Sequence, residues 1–313
     1  MPGNPALSIL LRLGTRGSPL ALVQARETRA LLARAHGIAP ERLEIRVIRT
    51  SGDMIQDRAL SEAGGKGLFT KEIERALIDG EIDLAVHSAK DMPTLLPDGL
   101  VLSAFLERED VRDALIAPGV ASIEALPHGA VVGTAALRRQ AMLKRLRPDL
   151  ETMLFRGNVE TRLRKIAEGQ ADATLLAVAG LKRLGMLDHA SAILSEESFL
   201  PALGQGAICI ETRADDAATN RLVGAIDHAD THLALRMERA FLAVLDGSCR
   251  TPIAGHARIE GGTVRFRGLI LKPDGSEAHE TARSGPLAEA EALGRSAGEE
   301  LRTRGGPGFF TGT

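Results

Sequence analysis

Short apolar runs alternate with helical patterns through roughly the first two-thirds of the chain. Residues 9–13, 43–48 and 82–86 are apolar enough to predict strands. Between the first two of them, Ser18 and Pro19 predict the start of a helix, because serine caps helices and proline fits the first helical turn. A chain that alternates in this way folds as a largely parallel sheet covered by helices, so we predict an α/β protein.

The length of the chain and changes in its pattern predict several folding units. A chain of 313 residues exceeds what one hydrophobic core usually supports. A second α/β unit is predicted to begin near Val111. The chain is predicted to return to the first unit near residues 203–206, because residues 207–211 predict another strand. From about residue 225, a helix, three alternating strands and a last helix predict a small α+β domain. Residues 51–67 are polar and rich in glycine, which predicts a long mobile loop.

Composition excludes several classes of protein. The 39 basic and 41 acidic residues nearly cancel, so global charge predicts no partner. Tryptophan and tyrosine are absent, which argues against single-stranded nucleic-acid binding through stacked aromatics. No apolar stretch is long enough to cross a bilayer, and residues 1–10 carry no basic group, so we expect a cytoplasmic protein. No Cys/His cluster indicates a metal site.

Arginines lie beside predicted strand-to-helix turns at three places. They are Arg16, the pair Arg138 and Arg139, and the pair Arg156 and Arg162, which lie on either side of Asn158, the predicted N-cap of the helix there. Helix N-termini at the carboxyl ends of strands offer free N–H groups, and guanidinium groups suit carboxylates or phosphates. A solvated helix face or an ion pair would explain any single arginine equally well. Their repetition predicts a substrate with several negative groups.

Asp91, at the end of a predicted strand, is a candidate acid–base group. It precedes Met92 and Pro93, which fix its backbone close to the strand end. From position alone, an ion pair with Lys90 or the capping of a turn is as good an interpretation as catalysis. His87, earlier on the same strand, is interpreted as a structural residue. Lys66 lies in a Gly-Gly-Lys-Gly segment whose spacing does not match a phosphate loop, so a lid and a plain surface loop both remain open.

The two cysteines have different surroundings. Cys209 lies within an apolar run and is predicted to be a packing residue. Cys249 lies in a Gly/Ser loop beside Arg250, and a neighbouring cation favours the reactive thiolate. Cys249 is therefore a candidate nucleophile or attachment point.

With these residues in view, the chain resembles the porphobilinogen deaminase family over nearly its whole length. Many ordered segments carry the resemblance: LGTRGSPLALVQA (13–25), TSGD (50–53), GGKGLFTKEIE (64–74), DLAVHSAKDMPT (83–94), REDVRDAL (108–115), GTAALRRQ (133–140), RGNVETRL (156–163), LAVAGLKRLG (176–185), LPALGQGAI (200–208) and DGSCRTPIAGHA (246–257). Together they are far more specific than any single motif.

The resemblance implies a role for each matching residue. Cys249 would carry a dipyrromethane cofactor through a thioether, and Asp91 would be the catalytic carboxylate. The residues implied to hold the cofactor are Ser88, Lys90, Thr134, Arg138 and Arg139. Those implied to bind substrate are Arg16, Ser18, Lys66, Arg156, Arg162, Arg183 and Gln205. Ala135 and Ala136 stand where relatives commonly have serine, so hydroxyl contacts to the cofactor are expected to be lost there.

The same resemblance implies the fold and the reaction. Two α/β domains like those of periplasmic binding proteins, with a cleft between them, would comprise residues 1–106 with 206–224 and residues 107–205. A small α+β domain, 225–313, would present the cysteine. The enzyme would be a transferase, hydroxymethylbilane synthase, which adds four porphobilinogen molecules to the primer, releases ammonia and then hydrolyses off the linear tetrapyrrole. A monomer is expected, with no nucleic-acid or membrane partner.

Two other functions fit parts of the sequence. A bilobal protein could bind a small dicarboxylate without catalysis, but such a protein would need neither Asp91 nor a reactive thiol. Phosphate-group transfer fits less well, because the chain has no phosphate loop and no cluster of metal-binding carboxylates.

Overall fold

The structure is a computed structural model that describes residues 8–54, 67–245 and 252–309. Its strands are β1 Leu11–Thr15, β2 Leu43–Val47, β3 Leu84–Ser88, β4 Leu100–Phe105, β5 Asp113–Ile116, β6 Val131–Gly133, β7 Glu151–Met153, β8 Ala173–Ala177, β9 Ala192–Ile193, β10 Ile208–Arg213, β11 Ile253–Glu260, β12 Thr263–Leu271 and β13 Ala278–Pro286. Its α-helices are α1 Pro19–His36, α2 Ser51–Met54, α3 Lys71–Ile78, α4 Leu137–Leu146, α5 Val159–Ala167, α6 Val178–Arg183, α7 Ala217–Gly224, α8 Ala229–Val244 and α9 Ala290–Gly305. None of these helices is both long and apolar enough to cross a membrane.

The strands form three sheets. The first has the order β2-β1-β3-β10-β4, and β10 runs antiparallel to both of its neighbours. The second has the order β7-β6-β8-β5-β9, and β5 runs antiparallel to both of its neighbours. The third is the antiparallel sheet β11-β12-β13. The prediction of two α/β units and a small α+β unit is confirmed.

Two segments join the first two sheets, and we call them the crossings. Residues 106–112 lead from β4 to β5, and residues 194–207 lead from β9 to β10. The predicted strand at 207–211 is β10, which places the returning chain in the first sheet. The exact domain boundaries given above remain predictions.

The start of α1 follows the sequence signals that predict it. Ser18 is the N-cap, and its hydroxyl accepts a hydrogen bond from the Ala21 N–H at 3.3 Å. Gly37 ends the helix with a φ of 61°, a left-handed conformation that glycine adopts without steric cost. The strand before it, β1, begins two residues later than predicted.

The predicted loop at 51–67 is wrong at its first residues, which form the short helix α2. Ser51 donates its backbone N–H to Glu72 Oε1 at 2.9 Å, and Gly52 donates its own to the Leu68 carbonyl at 2.8 Å. These tertiary contacts with α3 and the residues before it override the local preference for a loop. Residues 55–66 lie outside the described part of the chain.

The third unit packs against both of the others. One buried cluster joins Met92 and Cys209 of the first unit to Phe241 and Phe266 of the third. Another joins residues of the second sheet to Leu269 and other residues of the third. Helix α8 belongs to this third unit, and positions 246–251, which contain Cys249 and lie outside the described residues, come shortly after its end in the sequence.

Candidate active site

A pocket that opens to solvent lies where β1 and β3 end. These neighbouring strands are parallel, so the residues that follow them meet at one edge of the sheet. The residues that line the pocket are Arg16, Ser18, Leu20, Ala21, Gln24, Phe69, Thr70, Val86, His87, Ser88, Lys90 and Asp91. Five of the predicted site residues therefore share one pocket: Arg16, Ser18, Ser88, Lys90 and Asp91.

The wall of the pocket on the α1 side is held by polar and aromatic contacts. The Gln24 amide donates to the Ser88 hydroxyl at 2.9 Å, and the Ser88 hydroxyl lies 3.2 Å from the amide oxygen of Gln24. The Arg16 guanidinium lies over the Phe69 ring, 4.0 Å from its centre. Because a cation is attracted to an aromatic face, this contact helps to orient Arg16.

Lys90 and Asp91 lie together in the short turn after β3. Both side chains are exposed to solvent in the pocket, yet many protein atoms lie around the Lys90 ammonium. The loss of hydration around the ammonium and the nearby positive charge of Arg139 lower the pKa of Lys90 to about 8, although the negative charges of Asp91 and Asp113 raise it. The Lys90 ammonium donates to Gln205 Oε1 at 3.3 Å.

Arg138 and Arg139, in the first turn of α4, form ion pairs with one carboxylate. Asp113 is fully buried, and its oxygens lie 2.6 Å from Arg138 Nη2 and 2.7 Å from Arg139 Nη2. Each guanidinium also donates to a backbone carbonyl, Leu200 for Arg138 and Leu175 for Arg139. Desolvation raises the pKa of Asp113, but the two arginines outweigh it and hold that pKa well below its usual range.

Arg162 and Arg156 add to the positive charge of this region. Burial is the largest cause that lowers the pKa of Arg162 to about 10, and the charges of Arg139 and Arg156 lower it further. Asp91 acts in the opposite direction on Arg162. The N-cap between the two arginines is Asn158, as predicted, and it accepts from the Thr161 N–H at 2.8 Å. The charges of Arg139, Arg156 and Asp91 therefore all act on Arg162.

Three other predicted residues have protein partners. Arg183 lies 3.2 Å from a carboxylate oxygen of Glu27 on α1, and it donates to the Gly206 carbonyl. Gln205 is buried and donates to Asp113 Oδ1 at 3.0 Å. The hydroxyl of Thr134 accepts from the Ala136 N–H at 3.2 Å. Their predicted roles toward ligands remain predictions.

The two cysteines differ in what can be said of them. Cys209 is a fully buried free thiol, and burial raises its pKa above the usual range. The prediction that it is a packing residue agrees with its place in a core cluster. Cys249 and Lys66 both lie outside the described residues.

Sequence reasoning missed three residues that shape this region. Gln24 and Phe69 line the pocket, and Asp113 holds the arginine pair. A signal for Asp113 was present, since an aspartate that directly precedes an apolar strand in an arginine-rich chain is a candidate buried counter-ion. Nothing local marks Gln24, because its role depends on Ser88, which is distant in sequence.

The arrangement suits a ligand with several carboxylates. Cationic groups from both α/β units lie around a single exposed carboxylate, Asp91, which can accept N–H groups or stabilise a cation. Among residues 8–54, 67–245 and 252–309, no group of three or more His, Cys, Asp or Glu side chains could hold a metal ion. The donor set fits a dipyrromethane, which carries acidic side chains and pyrrole N–H groups.

Family models cover most of the chain. Residues 11–221 match the model described as porphobilinogen deaminase, dipyromethane cofactor binding domain, and residues 232–303 match the porphobilinogen deaminase C-terminal domain. The chain belongs to the porphobilinogen deaminase family. The predictions of this family, of a transferase and of a dipyrromethane cofactor are confirmed by these matches.

Two bacterial porphobilinogen deaminases are similar to the chain along nearly its whole length. The one from Nitrobacter hamburgensis is 61% identical over 311 residues, which cover 99% of this chain and 98% of the relative. The one from Nitrobacter winogradskyi has the same identity and the same coverage. Little of the chain therefore lies outside the porphobilinogen deaminase alignment.

Solved structures of periplasmic binding proteins are distant neighbours. A periplasmic substrate-binding protein of an ABC transporter from Coxiella burnetii has a TM-score of 0.44 at 14% identity. The alignment covers 76% of this chain and 99% of that protein. A TRAP periplasmic solute binding protein from Desulfovibrio salexigens has a TM-score of 0.42 at 9% identity, covering 69% of this chain and 72% of its own. Likenesses at this level say nothing about what this chain binds.

Proposed function

We propose that this chain condenses four porphobilinogen molecules in succession onto a dipyrromethane primer held by Cys249, and then releases hydroxymethylbilane by hydrolysis. The observation that supports this most strongly is the 61% identity to porphobilinogen deaminases over 99% of the chain. The pocket at the ends of β1 and β3 is where the condensation would take place. The primer, when bound, supplies the pyrrole carbon that attacks each incoming unit.

Asp91 is the group that stabilises positive charge during each addition. The aminomethyl group of porphobilinogen leaves as ammonia when its C–N bond breaks, and the substrate becomes a cationic methylene-pyrrolenine. The free α-carbon of the last pyrrole ring on the primer attacks this methylene group and forms the new C–C bond. The α-carbon then loses its proton, which restores the aromatic pyrrole ring. The exposed carboxylate of Asp91 can lie against the pyrrole N–H groups through both cationic stages.

The cations hold the acidic side chains of substrate and product. Each porphobilinogen unit brings an acetate and a propionate, so the negative charge in the cleft rises with every addition. Arg16 and Ser18 lie in the same pocket as Asp91 and are assigned to the incoming substrate. Arg156 and Arg162, on the second unit, are assigned to the growing chain, because the charge of Asp91 acts directly on Arg162.

Several assignments rest on the family alone. Arg138, Arg139, Lys90, Ser88 and Thr134 are assigned to the cofactor. Arg183, Gln205 and Lys66 are assigned to substrate binding and elongation. The protein is proposed to act as a monomer in the cytoplasm, without nucleic-acid or membrane partners.

Intact-mass measurement tests the proposal directly. The purified protein should carry an adduct equal to two linked pyrrole units, and Cys249→Ser should abolish it while Cys209→Ser retains it. Brief incubation with porphobilinogen should add further masses in steps of one pyrrole unit. An unmodified chain that binds dicarboxylates but adds no units would instead identify a non-enzymatic binding protein.

A further inference from the structure

Asp113 is the buried centre of a hydrogen-bond network, and the proposed reaction gives Asp113 itself no role. It is the first residue of β5, directly after the crossing 106–112, and its side chain is inaccessible to solvent. Its Oδ2 accepts from Arg138 Nη2 at 2.6 Å. Its Oδ1 accepts from Arg139 Nε at 3.2 Å, Arg139 Nη2 at 2.7 Å and Gln205 Nε2 at 3.0 Å.

One carboxylate between two guanidinium groups solves an electrostatic problem. Arg138 and Arg139 are adjacent in sequence and both nearly buried, with side chains 7% and 6% exposed. Without an anion, two buried guanidinium groups would repel each other and the side chains would move apart. Asp113 offsets only one of the two charges, so the pair keeps a net positive charge for an anionic ligand.

Gln205 extends this network to Lys90. Its amide nitrogen donates both to the Val111 carbonyl at 2.7 Å and to Asp113. These two acceptors fix the orientation of the amide, because its oxygen cannot face either of them. The oxygen therefore points to Lys90, whose ammonium lies 3.3 Å away.

Building on the proposed function, we propose that Asp113 is a positioning residue that presets the cationic side of the cleft. It orients the guanidinium groups of Arg138 and Arg139 directly and the ammonium of Lys90 through Gln205. Incoming carboxylates then meet cations whose directions are already set, and ordering these long side chains costs little at the moment of binding. The network also joins Lys90 on the first unit to Asp113 on the second.

Steady-state kinetics of cofactor-loaded variants test the effect on binding. Asp113→Asn keeps the size of the side chain but turns an N–H₂ group toward the guanidinium groups, and it should lower kcat/KM for porphobilinogen by about 100-fold, mainly through KM. Gln205→Met keeps the shape and removes the hydrogen bonds, and about a tenfold loss is expected. The matched control is Asp149→Asn, which breaks the ion pair at 2.6 Å between Asp149 and Arg147 and should leave both constants unchanged.

The titration of Lys90 is a second measurement, and it does not depend on turnover. Reductive methylation of the protein over a range of pH, followed by peptide mass spectrometry, gives the pKa of the Lys90 amine. In the cofactor-loaded protein, the charges that face Lys90 are those of Asp91, Asp113, Arg138, Arg139 and the cofactor carboxylates, and they stay in place in Gln205→Met. Losing the amide acceptor should therefore lower the pKa by roughly one unit.

The outcomes separate this proposal from the proposed function. A wild-type protein that fails to consume porphobilinogen would refute the synthase activity, whereas the Lys90 titration would still report on the network. If Asp113→Asn does not fold, the kinetics of Gln205→Met and the titration of Lys90 in that variant decide whether the proposal holds. The proposal is overturned if folded Asp113→Asn keeps kcat/KM within about twofold of wild type, or if Gln205→Met leaves the Lys90 pKa unchanged.

Discussion

At the scale of single residues, two aspartates lie among the same cations in opposite surroundings. Asp91 is exposed in the pocket, and within the described ranges it has no hydrogen bond from another side chain. Asp113 is fully buried and accepts from both guanidinium groups and an amide. Asp91 is thus available to a ligand, whereas Asp113 serves the protein itself.

The depressed pKa of Asp113 predicts how stability depends on pH. A carboxyl whose pKa is lower in the folded than in the unfolded state stabilises the fold above its unfolded pKa, and that contribution is lost as the pH falls. Urea unfolding should show the wild-type free energy falling from about pH 5 toward pH 3 more steeply than that of Asp113→Asn. If the unfolding free energies of the two proteins fell equally with pH, the pKa of Asp113 would not be depressed by folding.

The sequence predicts site residues that local pattern places, but it does not predict contacts between residues that are distant along the chain. The placement of Arg16 and Asp91 follows from local pattern, because both come directly after strands that are parallel neighbours. The pairing of Arg138 with Asp113 joins residues 25 positions apart. The local pattern can mark Asp113 as a candidate counter-ion but does not say which arginine it contacts, so the arginine pair was predicted as a ligand site and its counter-ion was missed.

At the scale of elements, the N-terminus of α4 lacks a side-chain cap. Ala136 is the N-cap residue, with an extended backbone (φ −98°, ψ 114°), and no side chain accepts from the first turn there. The helices α1 and α5 have Ser18 and Asn158 at the same position. The sequence predicts these two caps correctly because capping depends on one residue type at one position.

A serine at position 136 should therefore stabilise the protein. In Ala136→Ser the hydroxyl can accept from the backbone N–H of Arg139, and the free energy of unfolding should rise by about 1 kcal/mol. Ala135→Ser is the matched control, because position 135 is exposed and precedes the cap. Urea denaturation of both variants checks this, and equal stabilities would contradict the capping argument.

At the scale of the whole molecule, one buried carboxylate joins the third unit to both crossings. Glu238 on α8 is inaccessible to solvent and lies 2.6 Å from Arg108 Nη1 of the crossing 106–112. It also accepts from the Gly204 N–H of the other crossing at 2.7 Å and from the Ala257 N–H of β11 at 2.8 Å. The sequence predicts three units from changes in pattern, but the contacts that fix them together depend on distant residues.

Removing the charge of Glu238 should destabilise the folded protein. Glu238→Gln leaves the guanidinium of Arg108 buried without its counter-ion, which should cost about 3 kcal/mol of unfolding free energy. On the same helix, Arg236 forms an exposed ion pair with Glu291, and Glu291→Gln should cost less than about 1 kcal/mol. Thermal and urea denaturation compare the two, and similar losses would contradict the role assigned to Glu238.

The central claim is that Asp91 stabilises the cationic stages of each addition, and the rate of ammonia release tests it most directly. Single-turnover mixing of porphobilinogen with cofactor-loaded Asp91→Ala, whose loading is verified by intact mass, isolates the first C–N cleavage. Ammonia release should be at least about 100-fold slower than in the wild type. Release at the wild-type rate would contradict the account.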